Sequence, residues 1–140
     1  MIAALAVSPR RRRVGLYFSL APNRNVTGPW IVAFLHALLR HLRGGVILIW
    51  DRLPVHRGRH VGQWLARHPR LHVDFLPPYA PELNPVEPFW GYLKCNPLAN
   101  LAPDDPQALA RIASRHVRRL QRRHHLLRSF IRATHLSLCL

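Results

Sequence analysis

Two acids stand out by the company they keep. Asp51 closes the apolar run Val46-Ile47-Leu48-Ile49-Trp50, and Glu87 lies in the proline-rich tract from Leu76 to Trp90. Thirty-five residues separate them. Carboxylates on two different elements suit magnesium or manganese, because hard cations take oxygen ligands and both acids are ionised at neutral pH. Two such ions ~3.5–4 Å apart can activate a water or hydroxyl and stabilise the leaving oxygen in phosphodiester cleavage. That chemistry requires Asp51 and Glu87 to bring oxygens to a shared ion. Each acid also has a plainer reading. Asp51 could be an ordinary loop-start aspartate. Asn84-Pro85-Val86-Glu87 has the form of a helix start, with Glu87 reaching back in a capping box. Pro88 disfavours helical geometry in the residue before it. It predicts an extended Glu87 with its carboxylate outward, and a helix beginning at Pro88.

The elements that must position these acids can be read in order. Ile2–Val7 and Val14–Leu20 are apolar runs close enough to form an antiparallel hairpin with Arg10–Arg13 at its tip, where Arg11 and Arg12 could grip phosphates or simply be solvated. Ile31, Phe34, Leu35, Leu38, Leu39 and Leu42 follow helical spacing. Thr27 or Gly28 caps that helix, Pro29 lies in its first turn, and Gly44-Gly45 ends it. Val46–Trp50 is continuously apolar, as suits a central parallel strand covered on both faces, and Asp51 then lies at its C-terminal end, where sites form in open α/β sheets. Val61, Trp64 and Leu65 give a short helix stopped by Pro69. His56 and His60 have i,i+4 spacing but no third ligand nearby; they read as surface histidines, with His56 close enough to Asp51 to touch substrate. Leu71, Val73 and Phe75 alternate with polar residues as a strand, Asp74 on its polar side. Phe89, Trp90 and Leu93 pack the helix after Glu87, with Lys94 reaching outward. Asp104-Asp105-Pro106 starts a helix with no breaker through Thr134, striped by Leu109, Ile112, Ala113, Val117, Leu120, Leu127 and Ile131.

The charge balance is 21 basic against 6 acidic residues, a net +15, which predicts a polyanionic partner, nucleic acid first. Only Lys94 is lysine, so coding bias accounts for arginine over lysine but not for the shortage of acids. Residues 1–50 hold seven arginines and no acid, and residues 104–140 hold eight arginines and two aspartates. The C-terminal arginines would repel one another unless something anionic, DNA or a partner subunit, neutralises them. At 140 residues, 49% of them apolar, the chain can bury a core and reads as one domain. Cys95 and Cys139 read as reduced structural thiols in a cytosolic protein. No apolar run is long enough for a membrane span, and there is no secretory h-region.

"ILIWD" followed by the glutamate of "FLPPYAPELNPVEPFWGYLK" resembles the bacterial insertion-sequence branch of the mariner-type DDE transposases. The resemblance implies an α/β, ribonuclease-H-like fold and Mg2+- or Mn2+-dependent cutting and rejoining of DNA at transposon ends. It makes Asp51 the second acid of a triad and Glu87 the third. Pro78, Tyr79, Pro81, Leu83, Asn84 and Pro85 match the loop that positions Glu87, His56 a histidine after the second acid, and Trp90 and Lys94 the following helix. Arg52 stands where the family usually has asparagine. Arg52, His56, Lys94, Arg11 and Arg12 are the expected DNA contacts. The first acid should come from a strand upstream of Ile2, and residues 1–50 contain none. The family's N-terminal helix-turn-helix is also missing.

The expected organisation is therefore an incomplete catalytic domain over residues 1–103, lacking its first catalytic strand, and a basic helix over 104–140. Loss of that strand obliges its neighbours to close the gap or leave edges exposed. The implied function is a transposase catalytic fragment, cytoplasmic and nucleoid-associated, inactive alone, whose partners are DNA and an upstream transposase fragment or a second copy. The alternative is a non-catalytic DNA-binding protein or transposition inhibitor. An RNA-binding protein ranks last: it needs exposed aromatics, and Trp50, Trp64, Phe75 and Trp90 are expected in the core.

Overall fold

The computed structural model describes residues 1–8, 13–96, 98 and 105–134. Arg10, Arg11 and Arg12 of the expected hairpin tip, Asp104 and Cys139 lie outside them. The architecture is mixed α/β, in keeping with a ribonuclease-H-like endonuclease domain. Among the described residues are strands β1 (Ile2–Ser8), β2 (Arg13–Ser19), β3 (Val46–Trp50) and β4 (Leu71–Phe75). The helices are α1 (Gly28–His41), α2 (Arg59–Leu65), α3 (Val86–Cys95), α4 (Pro106–Leu120) and α5 (His124–Arg132). Two compact units emerge, one from residues 1, 3–24 and 81–140, the other from residues 2 and 25–80. No described helix is long and apolar enough to cross a membrane.

The first unit contains β1, β2, α3, α4 and α5. β1 and β2 pair in a two-stranded sheet, and a four-residue connection is too short for a parallel crossover. Val14 and Leu16 on β2 are buried with Phe89 and Leu93 of α3, Val117 and Leu120 of α4, and Leu127, Phe130 and Ile131 of α5. Alternate residues of β1, namely Ala3, Leu5 and Val7, pack against this cluster, as period two requires. Asp105 caps α4, accepting from the backbone N–H groups of Gln107 (2.8 Å) and Ala108 (3.1 Å), with Pro106 behind it. That cap agrees with the expectation from sequence.

The single long terminal helix does not form. Residues 121–123 turn between α4 and α5, and the two helices pack on each other. A straight helix from 104 to 134 would run about 45 Å, well past a core this small. The turn lets the apolar stripes of both segments reach one cluster. It falls in Arg118-Arg119-Leu120-Gln121-Arg122-Arg123, where like charges three and four apart oppose helix continuation. The Gln121 side chain anchors the turn, its amide donating to the Leu16 carbonyl of β2 at 2.8 Å.

The second unit holds α1, β3, α2 and β4. α1 buries Ile31, Phe34, Leu35, Leu38 and Leu39, the expected stripe. It stops at His41, before the glycine pair; Leu42 is extended and Gly44 takes φ +78°. The helix end is held by Arg70, whose guanidinium donates to the carbonyls of Leu39, Leu42 and Gly44. Terminal carbonyls lack intrahelical partners and favour a cation. β3 and β4 run parallel with Val46 opposite Leu71 and Trp50 opposite Phe75. Backbone bonds from Val46 N–H to Arg70 (2.8 Å) and from Leu76 N–H to Trp50 (2.9 Å) extend the pairing at both ends.

The parallel pairing of β3 was expected; cover on both faces was not found. Ile47 is 68% and Ile49 51% exposed. Among the described residues each sheet has only two strands, so every strand keeps an unpaired edge. Phe75 is also exposed, and Trp64 and Trp90 are half-buried; only Trp50 of the four aromatics assigned to the core is fully inside. Cys95 is an exposed free thiol, not a core residue.

Candidate active site

Asp51 follows the last residue of β3, where the parallel ladder ends and the chain turns into a 3-10 segment, Pro54–Arg57. Its Oδ1 accepts from the Leu53 N–H (3.1 Å) and pairs with His56 Nδ1 at 2.9 Å. The first contact is the loop-start role of an aspartate, which hydrogen-bonds two residues on. Both contacts fall on Oδ1. Oδ2 has no partner among the described residues, and the side chain is 41% exposed. His56 is fixed in turn: its ring stacks on Trp50 at 4.4 Å between centroids with planes 2° apart. Trp50 is buried on β3. A strand residue thus seats the imidazole that orients the acid after it.

Arg52 is brought to the same strand end. Its Nε donates to the Leu76 carbonyl at 3.1 Å, and its guanidinium lies 5.8 Å from the centroid of the Phe75 ring. The two terminal nitrogens have no bond to the described residues. His60 belongs to α2 while His56 belongs to the 3-10 segment, so their i,i+4 spacing is not a helical pair.

Glu87 lies in the first turn of α3, in the other compact unit. The helix starts at Val86, two residues before the expected start at Pro88, and Glu87 is helical rather than extended. Pro88 is tolerated because the first N–H groups of a helix have no partner to lose. The capping box is not realised either. Asn84 Oδ1 accepts from Val86 N–H at 3.1 Å, and Glu87 N–H donates to the Asn84 carbonyl at 2.9 Å. The Glu87 side chain is exposed and makes no hydrogen bond or ion pair with described residues. Lys94, exposed, is seven residues on in the same helix. That places it near the Glu87 face, two turns along.

Tyr79 was legible only as part of a motif. It is fully exposed (101%) and takes φ +58°. A bulky residue in the left-handed region is uncommon, and no pattern in Pro77-Pro78-Tyr79 announces it. Arg70 also escaped sequence reasoning, because its partners are 26 to 31 residues away.

The donor set can be tested against a metal. Among the described residues no three His, Cys, Asp or Glu side chains cluster around a common ion position. Asp51 and Glu87 each offer unengaged carboxylate oxygen. That suits a hard cation such as Mg2+, which is often held by one or two carboxylates with water and substrate phosphate completing its shell. Residues 7–109, 103 of the 140, match the family described as DDE superfamily endonuclease, and the chain belongs to that family. Neither the curated proteins nor the solved structures gave a match.

Proposed function

We propose that the chain is the C-terminal part of a DNA transposase of the mariner-like, insertion-sequence branch of this family. In this reading Asp51 and Glu87 are two of three metal-holding acids, and Mg2+ or Mn2+ would polarise the scissile phosphate and ionise the attacking hydroxyl or water. The chain's own part is to fix Asp51 through His56 and Trp50, to offer the Arg52 and Lys94 cations to DNA phosphates, and to present Glu87 from a capped helix start. The observation that carries the reading is the free oxygen on each acid: structural roles account for Asp51 Oδ1 but not Oδ2, and for none of Glu87. Residues 1–50 hold no acid, so in this reading none of them supplies the third ligand. An upstream transposase segment that adds a strand and an acid fits the exposed edge and face of β3. The chain alone is expected to bind DNA and metal without cutting.

Mn2+ binding followed by loss of the free-ion EPR signal tests this. Wild type is expected to bind weakly, and Asp51→Asn and Glu87→Gln each to lose most of that binding. Supercoiled plasmid should remain un-nicked in Mg2+ or Mn2+ unless an upstream segment is supplied. Equal Mn2+ binding by wild type and both variants would overturn the metal assignment. A second reading, a non-catalytic DNA-binding inhibitor, is favoured by the net charge of +15 and the missing acid. It gains if salt-sensitive DNA binding persists with no metal binding at all.

A further inference from the structure

We infer that the outer face of α4 is a second DNA-contacting surface, one that grips the phosphates of a duplex with Arg115, Arg118 and Arg122. It rests on DNA being the partner in the reading above, but not on any cutting, and it lies beyond residue 109, where the family match ends.

The placement follows from helix geometry. α4 buries Ala113, Val117 and Leu120. At about 100° per residue, Arg111, Arg115 and Arg118 fall within an arc of about 60° on the opposite side, and Arg122 continues the same line into the turn. All four are exposed. From Arg111 to Arg122 the line runs about 16 Å. Duplex DNA carries one negative charge per about 1.7 Å of axis, so a line of that length meets several phosphates.

A solvated face would mix signs. Residues 106–140 contain no acid, and among the described residues the one carboxylate paired with the stripe is Asp105, 3.8 Å from Arg111 at the helix start. The pairs Arg111/Arg115, Arg115/Arg119 and Arg118/Arg122 therefore set like charges four apart, which weakens a helix in isolation. A polyanion laid along the stripe removes that repulsion. The surface beside the stripe is also shaped. Arg118 lines an open groove of about 530 Å³ with Ser114 and Gln121 of the helix side and Phe18 and Leu20 from the end of β2. Serine commonly adds a hydrogen bond to phosphate, and a guanidinium matches phosphate with two parallel donors. A row of cations along one helix face suits a duplex backbone better than the splayed bases of single-stranded RNA.

The test is the salt dependence of binding to a short DNA duplex. Each phosphate contact contributes about 0.9 to the slope of log Kobs against log salt. Three variants decide the outcome: wild type, the triple Arg115→Ala/Arg118→Ala/Arg122→Ala, and a control triple, Arg40→Ala/Arg43→Ala/Arg67→Ala, that removes the same charge from exposed sites of the other unit. Alanine at exposed helix positions favours the helix, and circular dichroism confirms that folding is kept. The α4 triple should lower the slope by about 2 to 3, and the control by less than about 1. An unchanged slope in the α4 triple, or an equal fall in the control, overturns the proposal. So does poly-glutamate binding with the same dependence on the three arginines, which would mark a docking site for an acidic protein. Mn2+ binding by the same α4 triple should equal wild type, so failure of the metal reading is seen separately from failure of this one.

Discussion

Replacing Arg70 should loosen the support of Asp51 from a distance. β4 is the described partner of β3, and Arg70, just before β4, ties its start to the end of α1 with three hydrogen bonds. A hydrogen bond from a charged group contributes roughly 1.5–3 kcal/mol when well buried. Arg70 is only half-buried, and water can reach the freed carbonyls, so about 1 kcal/mol per bond is the better figure, or about 2–3 kcal/mol for Arg70→Ala. Lysine keeps a cation near the helix C-terminus, a term of roughly 0.3–1 kcal/mol, but cannot fork to three carbonyls. Arg70→Lys should therefore recover less than half of the loss. Urea unfolding followed by tryptophan fluorescence measures it. With a slope of about 1 kcal/mol/M for a unit this small, the Arg70→Ala midpoint should fall by about 2–3 M. A fall of less than about 0.5 M, or a lysine variant as stable as wild type, would refute the claim that the fork is what matters.

Removing the α4 cap with Asp105→Ala should cost about 1 kcal/mol, visible as helix signal lost at a lower temperature; no change would mean the two backbone contacts contribute nothing. Asn84→Ala should cost a similar amount and loosen the turn that presents Glu87, read as faster amide exchange at Val86 and Glu87. His56→Phe keeps an aromatic ring on Trp50 and should unfold within about 0.5 kcal/mol of wild type, whereas His56→Ala loses the stack as well and should cost about 1 kcal/mol more; equal stabilities would show the stack to be idle. Tyr79→Gly relieves the left-handed backbone and should raise stability by at most about 1 kcal/mol. A clear loss would mean the ring is anchored by contacts that only a bound partner or another chain supplies.

What the sequence made legible were the elements with local causes. Helical spacing found α1, and Asp105-Pro106 found the start of α4; Asn84-Pro85 marked a helix start before Glu87, but Pro88 moved the predicted start of α3 two residues too late. The continuous run of β3 indicated a parallel strand with Asp51 at its end, and the structure has both. Non-local causes stayed hidden. An apolar run says that a strand wants cover, not that cover exists, so the exposure of Ile47 and Ile49 could not be read. Unbroken helical propensity through residues 104–134 could not reveal that a small core forces a turn at 121–123. The expectation for Glu87 went astray because two local rules, the capping box and the effect of a following proline, make opposite demands on the same residue. The structure keeps the Asn84 contact of the first rule without the reach-back of Glu87, and holds Pro88 inside the first turn. Asp51 shows the reverse: its loop-start role and its proposed ligand role use different oxygens, so the two readings need not compete.

The open face of the β3–β4 sheet has a bearing on the chain's fate in a cell. Ile47 and Ile49 form a greasy flank beside strand edges able to template pairing with a neighbour. Made in excess, such a molecule is prone to self-association and to surveillance by chaperones and proteases. Ile47→Thr together with Ile49→Thr should lengthen its half-life and raise its soluble yield, unless a companion strand already shields the flank as the chain leaves the ribosome, in which case the double variant would gain nothing.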